Sequence, residues 1–315
     1  MGLGGNRLAG TNFKLGLLFI LIAVSSWGIL PIALKLTSEF IDPVSLTWLR
    51  FLVAFLVSLL LQKMAGNLEQ FKSLGSRQWC SLLLVALLLI INYVSFVQSL
   101  DYLAPGSAQL SFQTAPFLLA FGGVLFFKEK LGALQLMCFA TLALGMLLFF
   151  HPLLNLPQTV SGDVWLGVMI IQFSAISWSC YALLQRSLLS HITPGNILLF
   201  VYGFGLLAMS PFTDFSHLPS LDYSDWLVVM FCAVNTLVAY GCFAQSMKYW
   251  PTIQVGAMIA LTPLISFLAT EVVAAMGWWP NHFTAASLDL LAILGILLVV
   301  ASVFGVQLLP MYRRR

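Results

Sequence analysis

Two ionisable side chains, Arg50 and Glu271, fall clearly inside long apolar runs of this 315-residue chain. A charged group in such surroundings is costly, so it is normally paired, turned toward an interior, or used. Arg50 lies seven residues after Pro43 and Glu271 seven before Trp278, each counted from the same outer end of its run. At the helical rise of 1.5 Å per residue both sit roughly 10 Å below one surface, which permits a pair. A guanidinium offers a planar fork of donors to a carboxylate. A carboxylate beside it stays ionised, whereas one facing only apolar side chains takes up a proton near neutrality. Such a pair suits a zwitterion, whose carboxylate would take Arg50 and whose ammonium would approach Glu271, or a proton that competes with it. The structural alternative is a buried ion pair, or an arginine reaching to phosphate with a protonated glutamate in a packed core.

Aromatic and amide groups form a softer set: Trp27, Trp178, Tyr93, Gln98, Gln113, Tyr240 and Gln245 are the remaining candidates for ligand contact. Tyr93 and Gln98 stand about 140° apart on an ideal helix, so one of them packs elsewhere. Amides such as Asn92, Gln98, Gln113, Asn235 and Gln245 serve equally well as hydrogen-bond links between helices. The two tryptophans lie away from the interfacial belt, where packing is the competing explanation. Pro116 and Pro263 each interrupt a run near its middle and free a backbone carbonyl, as a hinge or cavity wall would require. A kink satisfied by neighbouring side chains is the plainer explanation.

Other chemistries find little support. The histidines His151, His191, His217 and His282 lack metal-ligand spacing. There is no HExxH, Walker A or GxSxG segment. No cofactor or metal is therefore expected, and no enzyme activity. The basic run Arg313 to Arg315 is short enough to be a membrane anchor, so nucleic acid is not an expected partner.

The elements that must position these residues follow from composition. The chain is 60% hydrophobic and 8% charged, against roughly a quarter charged in soluble domains. In lipid the backbone must satisfy its own hydrogen bonds, and long uncharged runs do so as helices. The predicted class is all-α and integral to the membrane, with ten spans near 15–36, 43–62, 79–100, 104–127, 131–150, 164–185, 194–211, 226–247, 251–278 and 288–309. Cys80, Cys138, Cys180, Cys232 and Cys242 all lie in apolar runs and read as small core hydrophobes rather than a disulfide framework.

Charge sets the orientation. With both termini in the cytoplasm, Arg7, Lys14, Lys63, Lys72, Arg77, Lys128, Lys130, Arg186, Lys248 and Arg313 to Arg315 all fall inside, which leaves only Lys35 and Arg50 of the 14 basic residues. The outer loops carry Glu39, Asp42, Asp101, Asp163, Asp214, Asp222, Asp225 and Asp289.

The chain also repeats itself. Tyr93, Phe96, Gln98, Ser99 and Tyr102 recur as Tyr240, Phe243, Gln245, Ser246 and Tyr249, and Pro116 recurs as Pro263, all at an offset of 147. Ser26-Trp27 recurs as Ser177-Trp178 and Pro43 as Pro194, at an offset of 151. Five spans per copy is an odd number, so the halves 15–150 and 164–308 must be inverted relative to each other. Inverted repeats are a recurring architecture of secondary transporters, although duplication can also simply enlarge a bundle.

Ser26-Trp27-Gly28, Asp42-Pro43 with Leu49-Arg50-Phe51, Ala104-Pro105-Gly106-Ser107-Ala108, and Glu129 with Leu131 complete a pattern in order and spacing. In these residues the chain resembles the drug/metabolite transporter superfamily, in particular its ten-helix EamA-type branch, over about residues 15 to 308. The resemblance implies export or exchange of metabolites, amino acids or drugs through a central cavity lined chiefly by spans one, three, four, six, eight and nine. Two departures stand out: Val201 replaces a second Arg50, and Glu271 follows Pro263 by eight residues where Glu129 follows Pro116 by thirteen.

The expected function is secondary active transport, most simply export, of small metabolites, amino acids or related compounds across a bacterial-type cytoplasmic membrane by alternating access. Its partners would be the small-molecule substrate, membrane lipid and a coupling proton. A multidrug or cationic-metabolite exporter is the alternative within transport, and a non-transporting receptor or scaffold the alternative outside it.

Overall fold

The computed structural model describes residues 3–99, 101–103, 105–151, 162–216, 218–283 and 289–312. Ala104, His217 and Arg313 to Arg315 lie outside the described residues. The helices are α1 (Leu3–Thr37), α2 (Pro43–Met64), α3 (Ser76–Ser99), α4 (Pro105–Phe112), α5 (Thr114–Phe127), α6 (Ala133–Phe149), α7 (Gly162–Leu188), α8 (Pro194–Met209), α9 (Tyr223–Tyr249), α10 (Thr252–Ile259), α11 (Thr262–Ala275) and α12 (Leu290–Tyr312). No strand occurs among the described residues. Among the described residues eight segments are long and apolar enough to cross a membrane, from Phe13–Thr37 to Leu290–Leu308, while Thr114–Phe127 and Ala133–Phe149 are shorter. The chain is thus an all-helical integral membrane protein.

Helix starts follow local chemistry. Asp42 Oδ1 accepts the Val44 and Ser45 N–H groups, each at 2.9 Å, and Pro43 opens α2 where its missing N–H has no partner to lose. Asp222 and Asp225 exchange backbone bonds at the start of α9 in a reciprocal cap.

Each proline accompanies an interruption of its span, and the break lies a few residues before the ring. A proline ring clashes with the carbonyl four residues earlier. Accordingly α4 stops at Phe112, four before Pro116, and α10 stops at Ile259, four before Pro263. Each proline then sits in the first turn of the next half-helix, where an N–H would be unsatisfied in any case. The run 104–127 is therefore two helices and not one.

The chain divides into two compact units. The first comprises Met1–Ile90, Leu184–Trp250 and Trp279–His282. In it α1 packs on α9, and α2 packs on both α8 and α9. Its apolar core joins Leu30, Ala33, Leu46, Leu49, Val229 and Cys232. The second comprises Ile91–Leu183, Pro251–Trp278 and Phe283–Arg315. Here α5 packs on α10 and α6 on α12, and Leu103, Ala108 and Ile171 form a core against Phe96 and Phe112. The α6–α12 crossing is close because a Cβ on Gly145 would lie 2.9 Å from the Gly295 carbonyl oxygen. Each unit takes helices from both sequence halves.

The cysteines are free thiols, and only Cys232 is fully buried. Cys80 is exposed, contrary to its reading as a core hydrophobe, because it lies in the first turn and a half of α3 beside the exposed Trp79.

Candidate functional site

Arg50 belongs to the first unit and Glu271 to the second. Arg50 is only 5% exposed, and a buried charge must be hydrogen-bonded to be tolerated. Its Nε donates to Thr236 Oγ1 at 2.7 Å, and that hydroxyl donates in turn to the Cys232 carbonyl at 2.8 Å. Because the Thr236 proton is spent on α9 itself, its lone pair is aimed at the guanidinium and fixes the plane of the fork. Thr236 carried no signal of its own in the sequence, standing 186 residues from its partner.

Beside this anchor, Trp27 packs edge-on against Tyr240, with ring centroids 5.4 Å apart, and against Phe243 at the same distance. Asn235 donates to the Ser26 carbonyl at 2.8 Å, tying α9 to α1. Three sequence candidates, Trp27, Arg50 and Tyr240, thus share one face of the α1, α2 and α9 cluster. Gln245 is half-buried two residues beyond Phe243.

In the second unit Trp178 is 4% exposed and reaches Phe96 through Phe112. Tyr93 is half-buried, while Gln98 is exposed in the last turn of α3. The pair thus diverges, as their separation around the helix requires. Asn92 donates to the Ser174 hydroxyl at 2.8 Å, and that hydroxyl donates back to the Asn92 carbonyl at 3.0 Å. Asn92 and Asn235 therefore act as links between helices.

Glu271 is half-buried on α11. It shares a side with Leu264 and Phe267, about 60° and about 100° around the helix from the exposed Leu268 and Val272. Phe267 packs edge-on against Phe149 at 5.6 Å.

The broken helices are splinted by polar groups, of which Gln172, Ser179 and Gln307 are not among the sequence candidates. Gln172 of α7 donates to the Ser111 carbonyl at 2.8 Å and accepts from the Thr114 hydroxyl at the same distance. Ser179 donates to the Ala115 carbonyl at 3.2 Å. Gln113 occupies the break itself, 7% exposed, with Nε2 donating to the Gln109 carbonyl at 3.3 Å. At the base of α10, the Glu129 carboxylate accepts the N–H groups of Thr252 and Ile253 and the Thr252 hydroxyl. Further along α10, Gln307 donates to the Gln254 carbonyl at 2.9 Å. Gly256 lets α10 approach α5, since a Cβ there would stand 2.7 Å from the Pro116 carbonyl oxygen. No group of three metal-ligating side chains occurs among the described residues.

Comparison with known proteins gives these features a setting. The model of the EamA-like transporter family matches twice, over residues 14–151 and 165–308. The uncharacterized inner membrane transporter YhbE of Escherichia coli (strain K12) is 31% identical over 288 residues, covering 91% of this chain and 89% of its own. An uncharacterized transporter of Haemophilus influenzae is 31% identical over 301 residues, covering 94% of this chain and 97% of its own. A relative named "Probable amino-acid metabolite efflux pump", also from Escherichia coli (strain K12), is 26% identical over 269 residues, covering 80% and 84%. One solved crystal structure matches 95% of this chain and 99% of its own at a TM-score of 0.73 with 16% identity, a likeness of fold.

Proposed function

The chain belongs to the EamA-like transporter family, and from that membership we propose that it is a secondary active transporter exporting small metabolites, amino acids or related compounds by alternating access. The observation that carries the proposal is the doubled helix break. α4 and α10 both end four residues before a proline, 147 residues apart, and each is followed by a 14-residue half-helix. Discontinuous helices that recur in both halves are a feature of transporter binding sites, because their free ends offer fixed dipoles at membrane depth.

The architecture we propose has ten spans, counting α4 with α5 as one broken span, α10 with α11 as another, and α6 as a short one. Repeats over 15–150 and 164–308 are supported by the pairing of helices. The first span packs on the eighth, the third bonds to the sixth, and the second, fourth and fifth pack on the seventh, ninth and tenth. Under a two-fold relation first-with-third implies third-with-first, and the other three positions pair with their own counterparts. Both termini are assigned to the cytoplasm on the charge pattern.

Arg50 and Glu271 are the ionisable groups proposed to act on the substrate or on a coupling proton. Trp27, Trp178, Tyr93, Gln98, Gln113, Tyr240 and Gln245 are the proposed contacts, and Pro116 and Pro263 the proposed hinges. The name of the efflux-pump relative favours amino-acid metabolites. Export of cationic metabolites or drugs is a second reading, in which the substrate would need Glu271 alone.

Reconstitution tests the proposal. Purified protein in proteoliposomes should give saturable flux of an amino acid or related metabolite, stimulated by a proton gradient of one polarity. Ligand binding without flux under either gradient would make the protein a receptor.

A further inference from the structure

We propose that Gln113 reads the amino group of the transported molecule through its side-chain oxygen, an inference that rests on the amino-acid reading above and deepens it. The residue stands between α4 and α5, at the N-terminal end of a 14-residue half-helix, and is 93% buried. Its amide orientation is fixed by the surroundings: Nε2 faces the Gln109 carbonyl, an acceptor, so that end must be the donor. Oε1 then points away, and it is buried with no hydrogen-bond partner among the described residues.

Other polar groups of the break have partners. The Ser111 carbonyl is taken by Gln172, the Thr114 hydroxyl by Gln172, and the Gln109 carbonyl by Gln113 itself, while the one Ser179 hydroxyl proton is shared between the Ala175 carbonyl at 2.8 Å and the Ala115 carbonyl at 3.2 Å. Among the described residues the Gln113 oxygen is one of several buried side-chain acceptors without a partner, with Asn235 Oδ1 and Gln307 Oε1, and it is the one that stands in the fourth-span break. Burying an amide oxygen without a donor destabilises a fold, and at a helix break where the substrate is proposed to bind the donor is assigned to the transported molecule. The partner must bring an N–H or O–H. An amino group is the stronger match, because a charged donor roughly doubles the strength of a hydrogen bond. The Thr262 hydroxyl, also buried and without a partner at the ninth-span break, is a weaker pointer, since a helical threonine can rotate onto the carbonyl of the preceding turn. The Gln113 oxygen has no such local outlet once its nitrogen is committed.

The test uses full-length protein in proteoliposomes and the twenty amino acids, each paired with the analogue in which hydrogen replaces the α-amino group. Wild type should transport at least one amino acid and take its des-amino analogue with about tenfold lower apparent affinity or worse. Gln113→Met should erase that difference by weakening the amino acid alone, while its thermal stability stays level or rises because the unsatisfied oxygen is gone. Gln113→Glu, which keeps an acceptor, should retain the preference. Should Gln113→Met not reach the membrane, Gln113→Leu carries the same expectation. Wild-type transport with an unchanged preference in Gln113→Met, above all with lowered stability, would assign the oxygen to a buried water and overturn this inference alone. Wild type that moves none of the amino acids would remove the amino-acid reading itself.

Discussion

The Glu129 carboxylate accepts the backbone N–H of Thr252 at 2.9 Å and its hydroxyl at 2.8 Å, so a side chain at the end of one broken span caps the start of the other, 123 residues away. α10 has eight residues and no side-chain cap from its own preceding residue. Its first N–H groups therefore depend on this carboxylate.

Glu129→Ala should accordingly lower stability by about 1–3 kcal/mol, the usual range for leaving buried donors unmatched. Glu129→Gln should cost less, because one oxygen remains to accept. Urea or thermal unfolding in detergent measures both. Equal stability of Glu129→Ala and wild type would mean that the cap contributes nothing.

Thr236→Val should strip the Arg50 Nε of its acceptor and cost about 1–3 kcal/mol, while Thr236→Ser, which keeps the hydroxyl, should stay near wild type. The same ordering is expected for apparent substrate affinity if the fork of Arg50 is the working group. A Thr236→Val protein with wild-type stability and affinity would show that Thr236 does not orient the guanidinium.

The sequence made legible what depends on local pattern. Runs of apolar residues marked the spans, and Pro116 and Pro263 marked the breaks, though each break falls at the clashing carbonyl and not at the proline. Arg50 could be flagged because a charge in an apolar run is conspicuous. Its partner could not, since Thr236 is one hydroxyl among many and the contact joins α2 to α9. Gln172 was hidden for the same reason, and Glu129, visible in the family pattern, gave no sign of its partner: what each bonds is a backbone group made available only by a helix end elsewhere in the chain. Tyr93 and Gln98 share one repeat motif but stand on different sides of α3, Tyr93 half-buried and Gln98 exposed, because motif membership does not fix the side of a helix that a residue takes.

At the start of α9, the Asp222 carboxyl is held below its ordinary range by the Asp225 N–H and then by the Ser224 hydroxyl. A folded-state value below the unfolded one stabilises the fold above the unfolded value, and that contribution is lost as pH falls through the folded value. The gap in apparent Tm between wild type and Asp222→Ala should therefore be constant near neutrality and close on strong acidification. A gap that widens as pH falls would contradict this.

Orientation is open to direct labelling. In a Cys80→Ser background, a membrane-impermeant maleimide applied to intact cells should modify Tyr223→Cys and spare Lys72→Cys; both positions are exposed, with the Tyr223 residue at 80% and the Lys72 side chain at 76%. The opposite pattern would invert the topology.

The central claim is that Arg50 and Glu271 act on the transported molecule or its coupling proton, and flux measured in proteoliposomes with a set pH gradient tests it most directly. Arg50→Gln and Glu271→Gln should each abolish gradient-driven transport while the folded protein is recovered in normal yield. Glu271→Gln should in addition lose the pH dependence of any residual exchange. Wild-type rates with unchanged pH dependence in both variants would make the two residues structural and contradict the account.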